Sequence, residues 1–542
     1  MGRARRGVAT AVVTPIVVVI VHALGTLQSA WLGPPIAGAA VAMAIPVLVA
    51  GAVAWARPSP GWTAGAGLVS VVVLGSSGWL PWGLSPLVGA GSLGVGLAAK
   101  RITRMLPASI DGAYERSRAK AVGWGVLALI MVLQVSRLSV FMTDHDSAWG
   151  STFPPIAFTV GHMCMGSYVH AADLTRQDAD NIYAPEHYPS FGVSTAEDIE
   201  TSIEGVQRYF DDAFLYAPPF LLLPRAWLGL SNDYTSIRSV WFALQLLAFV
   251  AFAVALARWI GGSTGAWALW TLPLVLASMP TMFNFQFGQA HVLTIWTAVA
   301  AMVAFESKRP ALGGALLAWG IASKIFPGVL GLYLVFQRRW RDVAWTALFT
   351  VVLGLITLLV LGSSPIESFV GYMLSRLTSG EAFSFVTDEL PIVTNLSIPG
   401  TAWKLSFFGY EDGASLLRPL SWAYTGILVV FIWIGSRIEG DRARLAQLWL
   451  AMLILASLRS PIVPIYGAVP ILWLMTLELD RVRSTWGLVG FAVSWLFVNG
   501  VPPTPNPQLT IVLFGITQLV ILFWVIRPFA QSAPPPEPSR IA

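Results

Sequence analysis

Fixed charge and cysteine are what this 542-residue sequence has least of. Only 11% of its residues are charged, less than half of the ~25% usual in soluble domains, which excludes a water-soluble globular enzyme. A disordered chain is excluded too, because disorder needs low hydrophobicity and many charges, whereas 56% of these residues are hydrophobic. With one cysteine, Cys164, there is no intrachain disulfide and no cysteine zinc site. No P-loop, H-E-x-x-H or G-x-S-x-G pattern occurs, so the chain shows no nucleotide-hydrolysing engine and no hydrolase elbow. Gly89-Ala90-Gly91-Ser92-Leu93-Gly94 fits G-x-G-x-x-G. It lies inside an apolar run, where small residues let helices approach rather than cradle a dinucleotide. Internal repeats, common in transporters, are absent.

What is present is apolar length. A spanning helix takes ~20 residues, so about sixteen spans would occupy roughly 320 residues, close to the apolar fraction. The expected fold class is an all-α polytopic membrane protein with roughly 14–16 transmembrane helices and two large outer loops. Apolar runs occur near 8–27, 34–56, 62–80, 84–99, 121–140, 236–258, 263–279, 290–305, 343–361, 420–436, 445–458, 462–477, 485–499 and 509–527. Two runs of about twelve residues, 311–322 and 325–336, are too short to span and are expected to form a re-entrant or strongly tilted pair.

Charge orients these spans. The 100–120 loop carries Lys100, Arg101, Arg104, Arg116, Arg118 and Lys120 against Asp111 and Glu115, which places it in the cytoplasm. Residues 141–235 carry thirteen of the 28 acidic residues and only Arg176, Arg208 and Arg225 as fixed cations. They face the other side, as does a second outer loop at 362–419. Both termini then lie in the cytoplasm, in the plasma or inner membrane. The net charge of +5 belongs to topology-setting loops, so no nucleic-acid partner is expected. The proline-rich tail, 531–542, is expected to be disordered, and the first helices with their basic loop, 1–120, stand apart from a membrane domain at 121–530.

Polar residues gather in the outer loops. Asp144-His145-Asp146 follows directly on a membrane exit, where a carboxylate can act as general base on a hydroxyl. The D-x-D spacing also suits a divalent metal, although no metal ligand set is expected here. His162, Asn181, Tyr183 and Tyr216 lie in the same acidic segment, a mixture suited to sugar, with aromatic faces for C–H surfaces and amides for hydroxyls. Phe214 to Arg225 is too proline-broken for a clean helix and too apolar for a free loop, so an interfacial or re-entrant segment is expected. Gln289 and His291 stand at the mouth of a span, and Lys324 at the tip of the short pair. An intramembrane lysine is a functional candidate by default. Arg376 and Asn395 are the polar candidates of the second outer loop.

The order of outer-loop acids, Asn181-Ile182-Tyr183, Tyr216-Ala217-Pro218-Pro219, Gly288-Gln289, Gly313-Gly314 through Lys324, and Asn395-x-Ser397 resembles glycosyltransferase family 87 over roughly 121–500. These are polyprenol-phosphate-mannose-dependent mannosyltransferases with the GT-C fold. The first four spans have no counterpart in the resemblance. His162 in Gly161-His162-Met163-Cys164 occupies a place where the family usually has an aspartate, and Arg459-Ser460-Pro461 replaces a Trp/His-containing segment.

The resemblance implies a GT-C glycosyltransferase-like bundle. Such an enzyme moves a hexose, mannose, from a polyprenyl-phosphate donor to an acceptor hydroxyl of a lipid or glycan outside the cell. The lipid-linked sugar is a co-substrate and no cofactor is implied. In this reading Asp146, with Asp144 as second choice, is the base. Lys324, helped by Arg225 or Arg376, meets the leaving phosphate. Gln289, His291, His162, Asn181, Tyr183, Tyr216 and Asn395 bind substrate. A transporter or flippase, or a non-catalytic envelope-assembly protein, is the alternative. Oligomeric state is not legible.

Overall fold

The computed structural model describes the chain except for residues 1–2, 33–38, 57–59, 78, 82, 106–117, 145, 152–159, 192–198, 210–211, 385, 387, 480–481, 483 and 531–542. His145 and the proline-rich tail lie outside the described residues, as does most of the basic 100–120 loop. The protein is an all-α polytopic membrane protein: helices dominate, no strand occurs among the described residues, and one isolated bridge pairs Glu204 with Asp233.

Among the described residues, five helices are long and apolar enough to cross a bilayer: Ala9–Trp31, Tyr234–Ile260, Trp340–Leu361, Glu411–Ser436 and Pro507–Ala530. Met279–Gln286 and His291–Glu306 make a sixth when taken as one broken span. Several other apolar runs fold as shorter helices, among them Ala40–Ala56, Pro60–Ser76, Pro310–Ser323 and Ile465–Glu478. This is why the structural count falls below the number of runs in the sequence. Only 11% of the apolar window of Trp340–Leu361 is buried. An apolar helix left so exposed has lipid as its natural solvent.

The chain divides into two compact units, one of 1–255, 266–293 and 356–376, the other of 256–265, 294–355 and 377–542.

In the first unit, Arg3–Leu32, Ala40–Ala56, Pro60–Ser76 and Ser85–Met105 pack on one another, and the first two also pack on Arg118–Thr143. The G-x-G-x-x-G stretch is helical, as its setting implied. Ser92 sits so close to Gly67 that a Cβ there would lie 2.3 Å from the Ser92 Cβ, a contact only glycine allows. Buried His22 joins three helices, with Nε2 at 3.1 Å from Ala40 O and 2.8 Å from Ser136 Oγ. The exit of Arg118–Thr143 is fastened to Tyr234–Ile260 by Arg238. Its Nε donates to Met142 O at 3.1 Å, its guanidinium lies over Phe141 and it bonds the Tyr209 hydroxyl. Ser239 donates to the same carbonyl at 2.9 Å.

The described residues of the acidic 141–235 segment are therefore organised rather than loose. Buried Asp173, on the wholly buried Cys164–Leu174 helix, accepts from Ser202 N (2.8 Å), Ser202 Oγ (2.6 Å), Thr201 Oγ1 (3.2 Å) and Gln177 Nε2 (3.0 Å). Ser364 and Ser368 donate to Asp180 O at 2.7 and 2.9 Å, tying the start of the 362–419 segment to the turn that presents Asn181.

In the second unit, the buried Arg442–Ser457 helix is the axis. Gly328–Phe336, Leu417–Ser436, Val469–Glu478 and Pro507–Ala530 pack around it. Asp441 caps it by accepting from Arg444 N at 2.9 Å.

The remainder of the 362–419 segment folds onto this unit through Asn395, which is 1% exposed. Its Nδ2 donates to Pro461 O at 2.8 Å, and its Oδ1 accepts from Ser397 N and Val463 N, both at 2.9 Å. All three bonds are internal, a structural use of a residue read in the sequence as substrate-binding. Lys404 Nζ donates to Asn395 O at 2.6 Å, and burial pushes its ammonium down to about 8. Asn395→Ala leaves a carbonyl and two N–H groups buried without partners. We expect it to cost about 2–4 kcal/mol, read as a lowered thermal unfolding midpoint of the purified protein. An unchanged midpoint would show that the loop is held by other contacts.

Candidate functional site

The site grows from two breaks in regular structure within the first unit. The first precedes Cys164, where extended Met163 ends the approach to the Cys164–Leu174 helix. The second, Phe287 to Ala290, interrupts the broken span. Gly288 there has φ +61, and a Cβ would meet the Met165 Cβ at 2.6 Å, so glycine is required both by conformation and by space. Met165 N donates to Phe287 O at 3.2 Å and Trp241 Nε1 to Gly288 O at 2.7 Å, which fixes the two breaks against each other. Asn284 closes the gap, its backbone O accepting from Gln289 N at 2.9 Å and its Oδ1 from Val292 N at 3.3 Å.

This geometry delivers the Gln289 amide, 2% exposed, into a polar cluster. Its Nε2 donates to Cys164 Sγ at 3.2 Å. Its Oε1 lies 2.8 Å from both the Tyr168 and Tyr216 hydroxyls, which are themselves 2.8 Å apart. Two phenols bring two protons to three short contacts, so at any moment no more than two of these are hydrogen bonds. Such a triangle can exchange its protons between arrangements.

Aromatic walls surround the cluster. Tyr216 stacks on Phe220 with centroids 5.1 Å apart, Tyr183 stacks on Phe214 at 5.5 Å, and Tyr168 meets Tyr216 edge-on at 4.9 Å. His162 meets Phe287 edge-on at 4.7 Å. Asn181 Oδ1 accepts from Tyr183 N at 3.0 Å, shaping the turn that sends the Tyr183 hydroxyl to Tyr216 O at 2.8 Å. Burial pushes the Tyr183 phenol well up from its ordinary value, so it serves as a donor. Five residues singled out in the sequence, His162, Asn181, Tyr183, Tyr216 and Gln289, are thus brought into one neighbourhood.

The Phe214 to Arg225 stretch supplies much of that wall. It folds as a 3-10 turn, Pro218–Leu221, running into a short helix, Leu222–Leu228, with Pro218, Phe220 and Leu221 buried. Arg225 is half-buried, and its Nε has no hydrogen-bond partner among the described residues.

The two acids of the D-x-D stretch take different roles. Asp144 Oδ1 accepts from Asp146 N at 3.1 Å and its Oδ2 from Ser147 Oγ at 2.6 Å, so both oxygens shape the turn. Asp146 is exposed and pairs with Arg208 at 3.5 Å. Its link to the cluster is indirect. Tyr209, the neighbour of Arg208, places its carbonyl against Gly166 of the Cys164–Leu174 helix.

Three further residues, Tyr168, Cys164 and Asp212, belong to the cluster and were not singled out in the sequence as site residues. Cys164 and Asp212 join His162, with one nitrogen, one sulfur and one carboxylate oxygen all within 4.8 Å of one another. The available signal for Asp212 was its place two residues before Phe214. Tyr168 was hidden inside an apolar helix.

The remaining candidates lie elsewhere. His291 is buried at the start of His291–Glu306. Arg376 covers the Tyr372 ring at 4.8 Å in the 362–419 segment. Lys324 belongs to the second unit, half-buried in an extended conformation just after Pro310–Ser323, and its N–H donates to Gly320 O at 3.0 Å. Residues 324–327 separate that helix from Gly328–Phe336, matching the two short runs of the sequence.

Residues 214–461 match the model of Glycosyltransferase family 87, the family resembled in the sequence. The matched stretch includes Tyr216, Gln289, Lys324 and Asn395, and leaves out Asp146, His162, Cys164 and Asp212. Two curated relatives come from Mycolicibacterium smegmatis. A polyprenol-phosphate-mannose-dependent alpha-(1-2)-phosphatidylinositol mannoside mannosyltransferase is 26% identical over 250 residues, 44% of this chain and 54% of that protein. A polyprenol-phosphate-mannose-dependent alpha-(1-2)-phosphatidylinositol pentamannoside mannosyltransferase is 27% identical over 247 residues, 43% of this chain and 56% of that protein. The chain spans about half the length of the curated relatives it matches. No solved structure matches.

Proposed function

We propose that this protein is a membrane glycosyltransferase that moves mannose from a polyprenyl-phosphate donor to an acceptor hydroxyl on the outer side of the plasma or inner membrane. The observation that carries the reading is the meeting of Tyr216 and Gln289, both inside the family-matched segment, in a buried cluster walled by aromatic rings. Aromatic faces and an amide suit a sugar, and the names of the two relatives support mannose and a glycolipid acceptor.

In this reading the acceptor oxygen attacks the anomeric carbon while Asp146 takes its proton. The bond from that carbon to the phosphate oxygen breaks, and the departing polyprenyl phosphate goes from about one negative charge to nearly two. A cation beside it gains interaction energy as the charge develops, so it lowers the barrier rather than merely tightening binding. The family resemblance gives that role to Lys324, and arginines such as Arg225 or Arg376 are suited to hold a phosphate in bidentate fashion. The donor's own sugar–phosphate bond drives transfer, so the reaction calls for no nucleotide.

The test is transfer of radiolabelled mannose from polyprenyl phosphate by membranes containing the protein, compared with membranes lacking it. We expect label in a glycolipid or glycan product, formed with donor and acceptor supplied to the outer face of sealed vesicles. If no lipid-linked mannose is consumed, the enzyme reading falls. Transfer confined to the cytoplasmic face reverses the assigned sidedness.

A further inference from the structure

We propose that His162, Cys164 and Asp212 form a divalent-metal site of the zinc class, with three protein ligands and a fourth position for water or a substrate oxygen. The three side chains come from two separate stretches of the chain, yet their donor atoms lie within 4.8 Å of one another. His162 Nε2 and Cys164 Sγ are already 3.5 Å apart. Metal–ligand bonds of about 2.0–2.3 Å set tetrahedral ligand separations near 3.4–3.6 Å. The first pair therefore stands at the required spacing, and the widest separation needs to close by about 1.2–1.4 Å at most.

The donor set selects the ion. One imidazole, one thiolate and one carboxylate suit zinc, whereas magnesium and calcium take oxygen ligands. The surroundings have the form of an outer shell that orients ligands. Gln289 Nε2 donates to Cys164 Sγ at 3.2 Å, the polarity that a thiolate accepts. Ala213 N donates to Asp212 Oδ1 at 3.1 Å, which orients that carboxylate. Phe287 holds the His162 ring edge-on. Cys164 is fully buried while His162 and Asp212 are half-buried, so an ion can enter from the histidine and aspartate side.

A single cysteine excludes a site built from several cysteines, but not this mixed set. The three ligands also lie outside the family-matched segment, 214–461. The site stands on these side chains whether or not the chain transfers sugar.

The experiment uses the full-length protein in detergent, free of any histidine tag, stripped with chelator and reloaded with zinc or cobalt. We expect about one zinc per chain to be retained. Cobalt is expected to give a thiolate charge-transfer band in the near ultraviolet with visible d–d bands. Because the chain has one cysteine, that band in the unaltered protein reports Cys164 directly, even if Cys164→Ser fails to fold. His162→Gln and Asp212→Asn should each weaken zinc binding by at least about 10–100-fold, whereas Asp144→Asn should leave it unchanged. Absence of the charge-transfer band, or zinc binding untouched by both ligand variants, overturns the proposal.

Discussion

Asp146→Asn is expected to lower mannose transfer by about 10²–10⁴-fold, the range a positioned general base contributes. The change is isosteric and, in the proposed mechanism, removes the atom that receives the acceptor proton, so kcat should fall while KM stays near its original value. The structure supplies a reason to prefer this acid over its neighbour. Both oxygens of Asp144 accept hydrogen bonds within the turn, from Asp146 N and Ser147 Oγ, whereas Asp146 faces solvent beside Arg208. Asp144→Asn should accordingly disturb the turn more than the chemistry. The exposed Asp146–Arg208 pair contributes little to folding, so Asp146→Asn should leave the unfolding midpoint in place. Unchanged transfer in Asp146→Asn would move the base elsewhere.

Lys324→Met is expected to slow transfer by about 10²–10³-fold, equivalent to roughly 3–4 kcal/mol of lost transition-state stabilisation. Lys324 directly follows the last turn of Pro310–Ser323, where the helix favours a cation. In the proposed mechanism its effect on the leaving group is electrostatic, so Lys324→Arg should retain more transfer than Lys324→Met. It should not restore it fully, because the guanidinium spreads its charge over a wider plane. Arg225→Gln and Arg376→Gln should act chiefly on donor KM. Initial rates over a range of donor concentrations separate these effects. If Lys324→Met matches the unaltered protein, the phosphate is met by another cation.

Much of this architecture was legible without coordinates. The Pro310–Ser323 and Gly328–Phe336 helices coincide with two runs too short to span, and the 89–94 glycines lie inside a helix. Aromatic and amide residues flagged at Asn181, Tyr183, Tyr216 and Gln289 do assemble. Burial of Asn395 was not legible, since a polar residue in an outer loop reads as solvent-facing until Pro461 and Val463 are known to lie against it. The apolar run at 263–279 also hid a break, because hydropathy continues through the turn at Thr271 that parts Gly262–Trp270 from Leu272–Leu276.

Membrane class and the polarity of the loops were determined by the amino-acid sequence alone. Both depend on sums over neighbouring residues, and hydropathy and charge add along the chain. The partners of Cys164 were decided only by tertiary structure. Gln289 is 125 positions away, and the Cys164–Leu174 helix lies within the acidic 141–235 segment, where no apolar run marks it. No local pattern could join them. A backbone break at Gly288, closed against Met165, brings that amide beside the lone thiol.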